Sequence, residues 1–178
     1  HTELRRFREE TGVPVVISMG EVAASGGYYL ALAGDRLIAQ PTTITGSIGV
    51  IVPSVNVSEG LAKIGIHSRS IVSGPNKDLA NPFEPMHEGH YAVLQQLVDD
   101  FYDRFQVLVR ERRPGIRIED FAQVTDGRVM SGERAKALGL VDDVGGVRES
   151  FAAAKSMAGL KAAALVKYVG EGDLATSA

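Results

Sequence analysis

The run Val13-Pro14-Val15-Val16-Ile17-Ser18-Met19 constrains the fold most, because a short, β-branched and mostly apolar stretch suits a strand buried on both faces. Gly20 closes it. The stretch Ala23-Ala24-Ser25-Gly26-Gly27-Tyr28-Tyr29-Leu30-Ala31-Leu32-Ala33 then reads as a tight turn feeding a small-residue helix that Gly34 ends, with Ser25 near its N-terminus. Further strands are expected at residues 36–39 and 47–52, separated by the turn Pro41-Thr42-Thr43. Ser58 is placed to cap a short helix through Ile64, and residues 66–71 read as another strand before the loop Ser73-Gly74-Pro75-Asn76-Lys77-Asp78.

The longest element follows. Tyr91, Leu94, Leu97, Val98, Phe101, Phe105, Leu108 and Val109 recur at three and four residues and stop before Pro114-Gly115, which predicts one long helix. Asp99, Asp100 and Asp103 beside Arg104 and Arg110 belong to its solvated face. Ser131 is expected to cap a helix that ends at Gly139, without a capping box because Arg134 stands where an acid would be needed. A last helix is expected at residues 147–158, a closing strand at 162–169 and a flexible tail over about 170–178. Alternating strands and helices without internal repeats give an α/β architecture.

At 178 residues and 44% apolar, the chain is the size of a single domain. A net charge of −3 and a pI near 5.8 argue against nucleic acid as a partner. The absence of cysteine removes disulfides and thiolate catalysis. No apolar run approaches the roughly eighteen residues of a membrane span, so the chain as given is expected to be soluble. It opens without a methionine and inside an expected helix bearing Leu4 and Phe7 and stopped by Gly12, as a piece of a longer protein would.

A serine just after a buried strand, beside two glycines, is placed as a nucleophile should be, with Gly26 N–H available to a developing oxyanion. The same four residues, Ala24-Ser25-Gly26-Gly27, equally describe a helix cap with a tight packing turn. The histidines offer no persuasive base: His1 is terminal, His67 lies in a strand pattern, and His87 and His90 open the long helix. The last two share a face at i, i+3, but no carboxylate motif completes a metal site, so no metal or other cofactor is expected. Lysine can replace histidine when burial keeps it neutral. Lys77 stands in a glycine- and proline-marked loop, but loop lysines are ordinarily solvated, and pattern alone does not nominate it.

Three blocks carry a resemblance: Ser18-Met19-Gly20-Glu21-Val22-Ala23-Ala24-Ser25-Gly26-Gly27-Tyr28-Tyr29, then Ala33-Gly34-Asp35-Arg36-Leu37-Ile38-Ala39, then Thr45-Gly46-Ser47-Ile48-Gly49-Val50. With Ser73 to Asp78 and Asp126-Gly127-Arg128-Val129-Met130-Ser131-Gly132, the chain resembles the bacterial signal peptide peptidase A family over most of its length. The resemblance implies a Ser–Lys peptidase of the single-domain type, with Ser25 as nucleophile, Lys77 as general base and Ser47 orienting that lysine. It implies a crotonase/Clp-protease-like α/β spiral of β-β-α units with a long helix and a C-terminal helical segment. It also implies a homo-oligomeric ring, an N-terminal membrane anchor in the intact protein and a catalytic domain on the extracytoplasmic side acting on remnant signal peptides. In that family a glycine-rich loop before the opening helix donates a second oxyanion N–H, and that loop is expected to precede His1.

Apolar residues around Ser25 suit peptides with small or apolar side chains, with Tyr28 and Tyr29 as pocket candidates, though at least one is expected to pack in the helix core. Two rivals differ in class. An acyl-CoA enzyme of the crotonase type would bind CoA thioesters and use carboxylates, of which Glu21 alone is close to the Ser25 turn. A non-catalytic ring-forming scaffold would leave Ser25 as a cap.

Overall fold

A computed structural model describes residues 1–85 and 87–168, arranged as two compact units: His1–Thr45 with the chain from Met130 onward, and Gly46–Val129. The expected tail at 170–178 lies outside the described residues, as does Val169; residues 162–168 form no strand.

The first unit opens with α1 (Thr2–Thr11), closed by Gly12 at φ 67°, whose N–H donates to Arg8 O at 2.9 Å. Strand β1 is Val16–Met19 and begins later than residue 13. Pro14 has no N–H to give, and Val15 N–H goes instead to the Asp35 carboxylate at 3.0 Å, so the ladder starts only beyond them. Strand β2 (Val22–Ala24), helix α2 (Gly26–Ala31), strand β3 (Arg36–Ala39) and strand β4 (Ile44–Gly46) follow.

Two consecutive strand pairs are thus each followed by a helix, the second by α3 (Ser58–Lys63). First strands pair with first strands: β1 lies parallel to β3 in the register Val16↔Arg36 to Met19↔Ala39, and β6 (Asp143–Val144) adds on the far side of β3. Second strands build the other sheet, in the order β2-β4-β5, where β5 is Val129–Ser131. The architecture is α/β.

The core lies around β3, where Leu37, Ile38 and Ala39 are buried with Met19, Ala31, Leu32 and Ala33. Thr43 and Thr45 are fully buried, yet each hydroxyl is satisfied, Thr43 donating to Gly20 O at 2.6 Å and Thr45 to Ala23 O at 2.7 Å. The first bond ties the start of β4 to the β1–β2 turn and the second ties β4 to β2. The expected strand at 47–52 does not form, because Ser47 at φ 51° breaks the extended backbone.

Ser131 caps α6 (Gly132–Ala137) as expected, its Oγ accepting from Arg134 N at 3.3 Å, and Gly139 leaves at φ 82°. The last helix, α7, is Val147–Met157. Asp143 receives Nε and a terminal nitrogen of Arg36 and, at 3.0 Å, Lys136 Nζ. Arg36, and then Lys136, hold this carboxyl below the usual carboxylate range. A lowered native pKa stabilises above the unfolded value of about 4 and is lost as pH falls through the native value. The melting-temperature gap between wild type and Asp143→Asn is therefore expected to be widest above about pH 5 and to close as pH falls below about 4. A gap unchanged down to about pH 2 would remove the ion cluster from the account.

In the second unit Ser58 does not cap α3. It is the first helical residue, and its N–H and Oγ both bond to Asn56 Oδ1, at 3.0 and 2.6 Å. Residues 66–71 form no strand either; Ser70 N–H is taken by the Glu84 carboxylate and Ile71 is 99% exposed. The long helix α4 (Glu88–Arg112) forms as expected and buries Phe105, Leu108 and Val109. A short helix the pattern did not show, α5 (Ile118–Val124), places the Phe121 ring under the Arg110 guanidinium at 4.0 Å. Among the described residues, no helix is long and apolar enough to cross a membrane.

Candidate active site

Ser25 joins β2 to α2 at φ 51° and ψ −118°, a conformation that costs a residue bearing a Cβ about 1–3 kcal/mol. Its carbonyl accepts from Tyr29 N at 2.8 Å, which fixes the first helical turn, but its side chain makes no capping hydrogen bond. Ser131 supplies the contrast within the same unit: φ −71°, ψ 159°, and a hydroxyl that accepts from the helix. A serine cap has extended dihedrals and spends its oxygen on N2 or N3. Ser25 has neither property, so the cap reading fails on geometry.

The surroundings of Ser25 are open. A Cβ added at Gly26 or Gly27 would meet nothing within 4 Å, and both glycines are exposed. Val22 and Leu30 keep 67% and 48% of their surface in solvent, giving the turn an apolar rim. The two tyrosines separate. Tyr28 is fully buried and donates its hydroxyl to Leu140 O at 2.8 Å, so it is a core residue and does not line a pocket. Tyr29 is half-buried, with its ring 5.4 Å from that of His1.

The other candidates lie in the second unit. Ser47 also has φ 51°, and its N–H donates to Arg128 O at 2.7 Å. Of the three described non-glycine residues with positive φ, two are therefore Ser25 and Ser47; the third is Ala80. Lys77 is exposed on a tight turn, where its N–H donates to Gly74 O at 3.1 Å. That turn is anchored to α4 by the His90 ring, whose Nε2 lies 2.8 Å from Pro75 O. A carbonyl only accepts, so this nitrogen carries the proton. Beside the turn is a cavity of about 500 Å³ lined in part by Ser70, Asn76, Asp78, Glu84 and His87.

Ser25, Gly26 and Tyr29 stand together in the first unit, and Ser47 and Lys77 both belong to the second. Sequence pattern found Ser25 but not its dihedral angles. The Asp126-Gly127-Arg128 turn carried a visible Asp-Gly signature, yet nothing in the sequence tied it to Ser47.

A serine at positive φ between a strand and a helix is the local geometry of α/β proteins that expose a nucleophile on a sharp turn. Residues 8–161 match the model of peptidase family S49, and the chain belongs to that family. It is 36% identical over 160 residues to a provisionally named protease of Synechocystis sp., covering 90% of this chain and 57% of that protein. It is 33% identical over 156 residues to a provisionally named signal peptide peptidase of Enterococcus faecium, covering 88% of this chain and 45% of that one. Another match, 39% identical over 147 residues, takes in 81% of this chain but 20% of a protein named as the Na⁺/H⁺ antiporter NhaA of Brucella abortus. The chain thus spans between a fifth and just over half of these relatives. A solved structure, a provisionally named enoyl-CoA hydratase/isomerase of Mycobacterium abscessus, is similar at 16% identity and a TM-score of 0.47 over 89% of this chain and 44% of that one.

Proposed function

We propose that this domain is the catalytic part of a serine endopeptidase in which Ser25 is the nucleophile and Lys77 the general base, with Ser47 orienting the lysine. The observation that carries the reading is the backbone of Ser25 at φ 51° with a hydroxyl not spent on the helix, in a chain of peptidase family S49. Ser25 Oγ attacks the peptide carbonyl while its proton passes to the neutral Lys77 amine. Gly26 N–H donates to the oxyanion. Collapse breaks the C–N bond, the leaving amine takes the proton from Lys77, and an acyl-enzyme remains. Lys77 then takes a proton from water as the water attacks the ester, and gives that proton to Ser25 Oγ as the C–O bond breaks and the acid product leaves.

The exposed Val22 and Leu30 and the half-buried Tyr29 favour extended peptides with small or apolar side chains. Remnant signal peptides have that chemistry, and the name of the Enterococcus relative supports them as substrates. A lysine is a base only when it is shielded from water, and the Lys77 side chain is exposed here. The working enzyme must therefore cover it, for which a ring of copies, anchored to the membrane with the domain on its extracytoplasmic side, is the arrangement we propose.

The test is cleavage of a fluorogenic apolar peptide by the full-length protein across pH. Activity is expected to rise as the base loses its proton, and Lys77→Ala is expected to lower turnover by about 10²–10⁴. A rate flat from about pH 6 to 9, or full turnover in Lys77→Ala, would dismiss the lysine base.

A further inference from the structure

A serine does not hold φ 51° unaided; surrounding contacts must over-determine it. For Ser47 those contacts come from one short turn. Its N–H donates to the Arg128 carbonyl at 2.7 Å. The Arg128 backbone is itself fixed, because Arg128 N–H donates to Asp126 Oδ1 at 3.1 Å in an Asx turn. The Arg128 side chain returns to the same carboxylate, with Nε at 2.9 and 3.0 Å from its two oxygens and a terminal nitrogen at 2.6 Å. Between them Gly127 takes φ 88°, which a residue with a Cβ rarely adopts.

The opposing strand of contact is just as specific. A Cβ on Gly49 would stand 3.2 Å from Gly127 Cα, so the segment carrying Ser47 lies this close to the turn because Gly49 lacks a side chain. We propose that the Asp126-Gly127-Arg128 turn is a positioning device: it holds Ser47 in its strained conformation and thereby aims the hydroxyl that orients Lys77. This rests on the Ser–Lys reading above. Hydrogen bonds from Arg128 keep the Asp126 carboxyl below its usual range.

A purely structural role makes a different forecast. The Asp126–Arg128 pair is largely exposed, and exposed pairs contribute little to stability. Its loss should then be nearly silent. As a positioning device, its loss should lower kcat with KM unchanged, because substrate still binds while the base is misaimed.

The experiment compares Ser47→Ala, Asp126→Ala, Asp126→Asn and Gly49→Ala in the full-length protein, with kcat and KM on the same peptide. Asp126→Ala is expected to lose about 10- to 100-fold in kcat at unchanged KM. Asp126→Asn, which keeps an oxygen for Arg128 N–H, is expected to recover most of it. The Ser47→Ala/Asp126→Ala double variant should be no slower than Ser47→Ala, since both act through one hydroxyl. If Asp126→Ala does not fold, Gly49→Ala reports instead: its methyl displaces the turn by a few tenths of an ångström and is expected to lower kcat in the same direction at unchanged KM. A wild-type kcat in Asp126→Ala or Gly49→Ala, alongside a slow Ser47→Ala, overturns the device and leaves the Ser–Lys pair standing. Full activity in Ser47→Ala overturns the device together with Ser47's orienting role; the Ser25–Lys77 pair is then judged by the Lys77→Ala test alone.

Discussion

Replacing Ser25 by alanine is expected to lower peptide cleavage by the full-length protein by about 10⁴-fold or more and to abolish labelling by a serine-directed phosphonate. Alanine keeps the Cβ, so it inherits the same unfavourable φ 51° and ψ −118° and should fold and melt like the wild type. Glycine should behave differently. Ser25→Gly removes the hydroxyl and the steric conflict together, and is expected to be inactive but more stable by about 1 kcal/mol. A serine that served only to shape a turn would give the reverse pattern, with activity surviving both changes. Equal phosphonate labelling of wild type and Ser25→Ala would show that the reactive serine lies elsewhere.

Gly132→Ala is expected to have the largest effect on stability. A Cβ at this position would stand 2.0 Å from Gln40 O and 3.1 Å from Ala39 Cβ, at the end of β3. The nearer obstacle is backbone and cannot rotate aside. The start of α6 must retreat from the central strand, at a cost of about 3 kcal/mol or more, or a fall of roughly 6–12 °C in Tm for a chain of this size. Gly26→Ala is the control: its Cβ would meet nothing within 4 Å, so Tm should barely move. An unchanged Tm in Gly132→Ala would mean that α6 does not sit against β3 as described.

The elements that could be read from the sequence are those whose own residues decide their conformation. The α4 helix repeats its apolar positions from Tyr91 to Val109, about five turns, and β3 is flanked by Gly34 and Pro41. Strands β2, β5 and β6 are two or three residues long and exist because of what they pair with, which no local pattern shows. The opposite error arose at residues 47–52 and 66–71. There β-branched residues favour extended backbone, but Ser47 turns the chain away and Glu84 occupies a ladder donor. Asn56, rather than Ser58, serves the start of α3, because its Oδ1 reaches forward two residues to accept from both Ser58 N–H and Ser58 Oγ.

The candidate site divides in the same way. Ser25 was visible because a strand, a serine and two glycines stand consecutively. Ser47 and Lys77 came only through family resemblance, since each lies in a segment whose backbone is set by residues distant in sequence: Arg128 for the first, His90 for the second. The positive φ shared by Ser25 and Ser47 is a property of the folded backbone, and serine is not a residue from which it would be guessed.

The Tyr28–Leu140 hydrogen bond spans 112 positions of chain, and β3 waits on β6 across a similar interval. On a ribosome, the first 45 residues therefore emerge with Tyr28, Leu37 and Ile38 already made and their covering segments not yet translated. At about 5–20 residues per second, they remain uncovered for several seconds while the whole of residues 46–129 is synthesised. Contacts this distant also make refolding slow relative to a helical bundle of equal length. Such a nascent chain is a natural client for a holdase chaperone, and truncations ending before residue 140 should accumulate as aggregates rather than as a smaller folded domain.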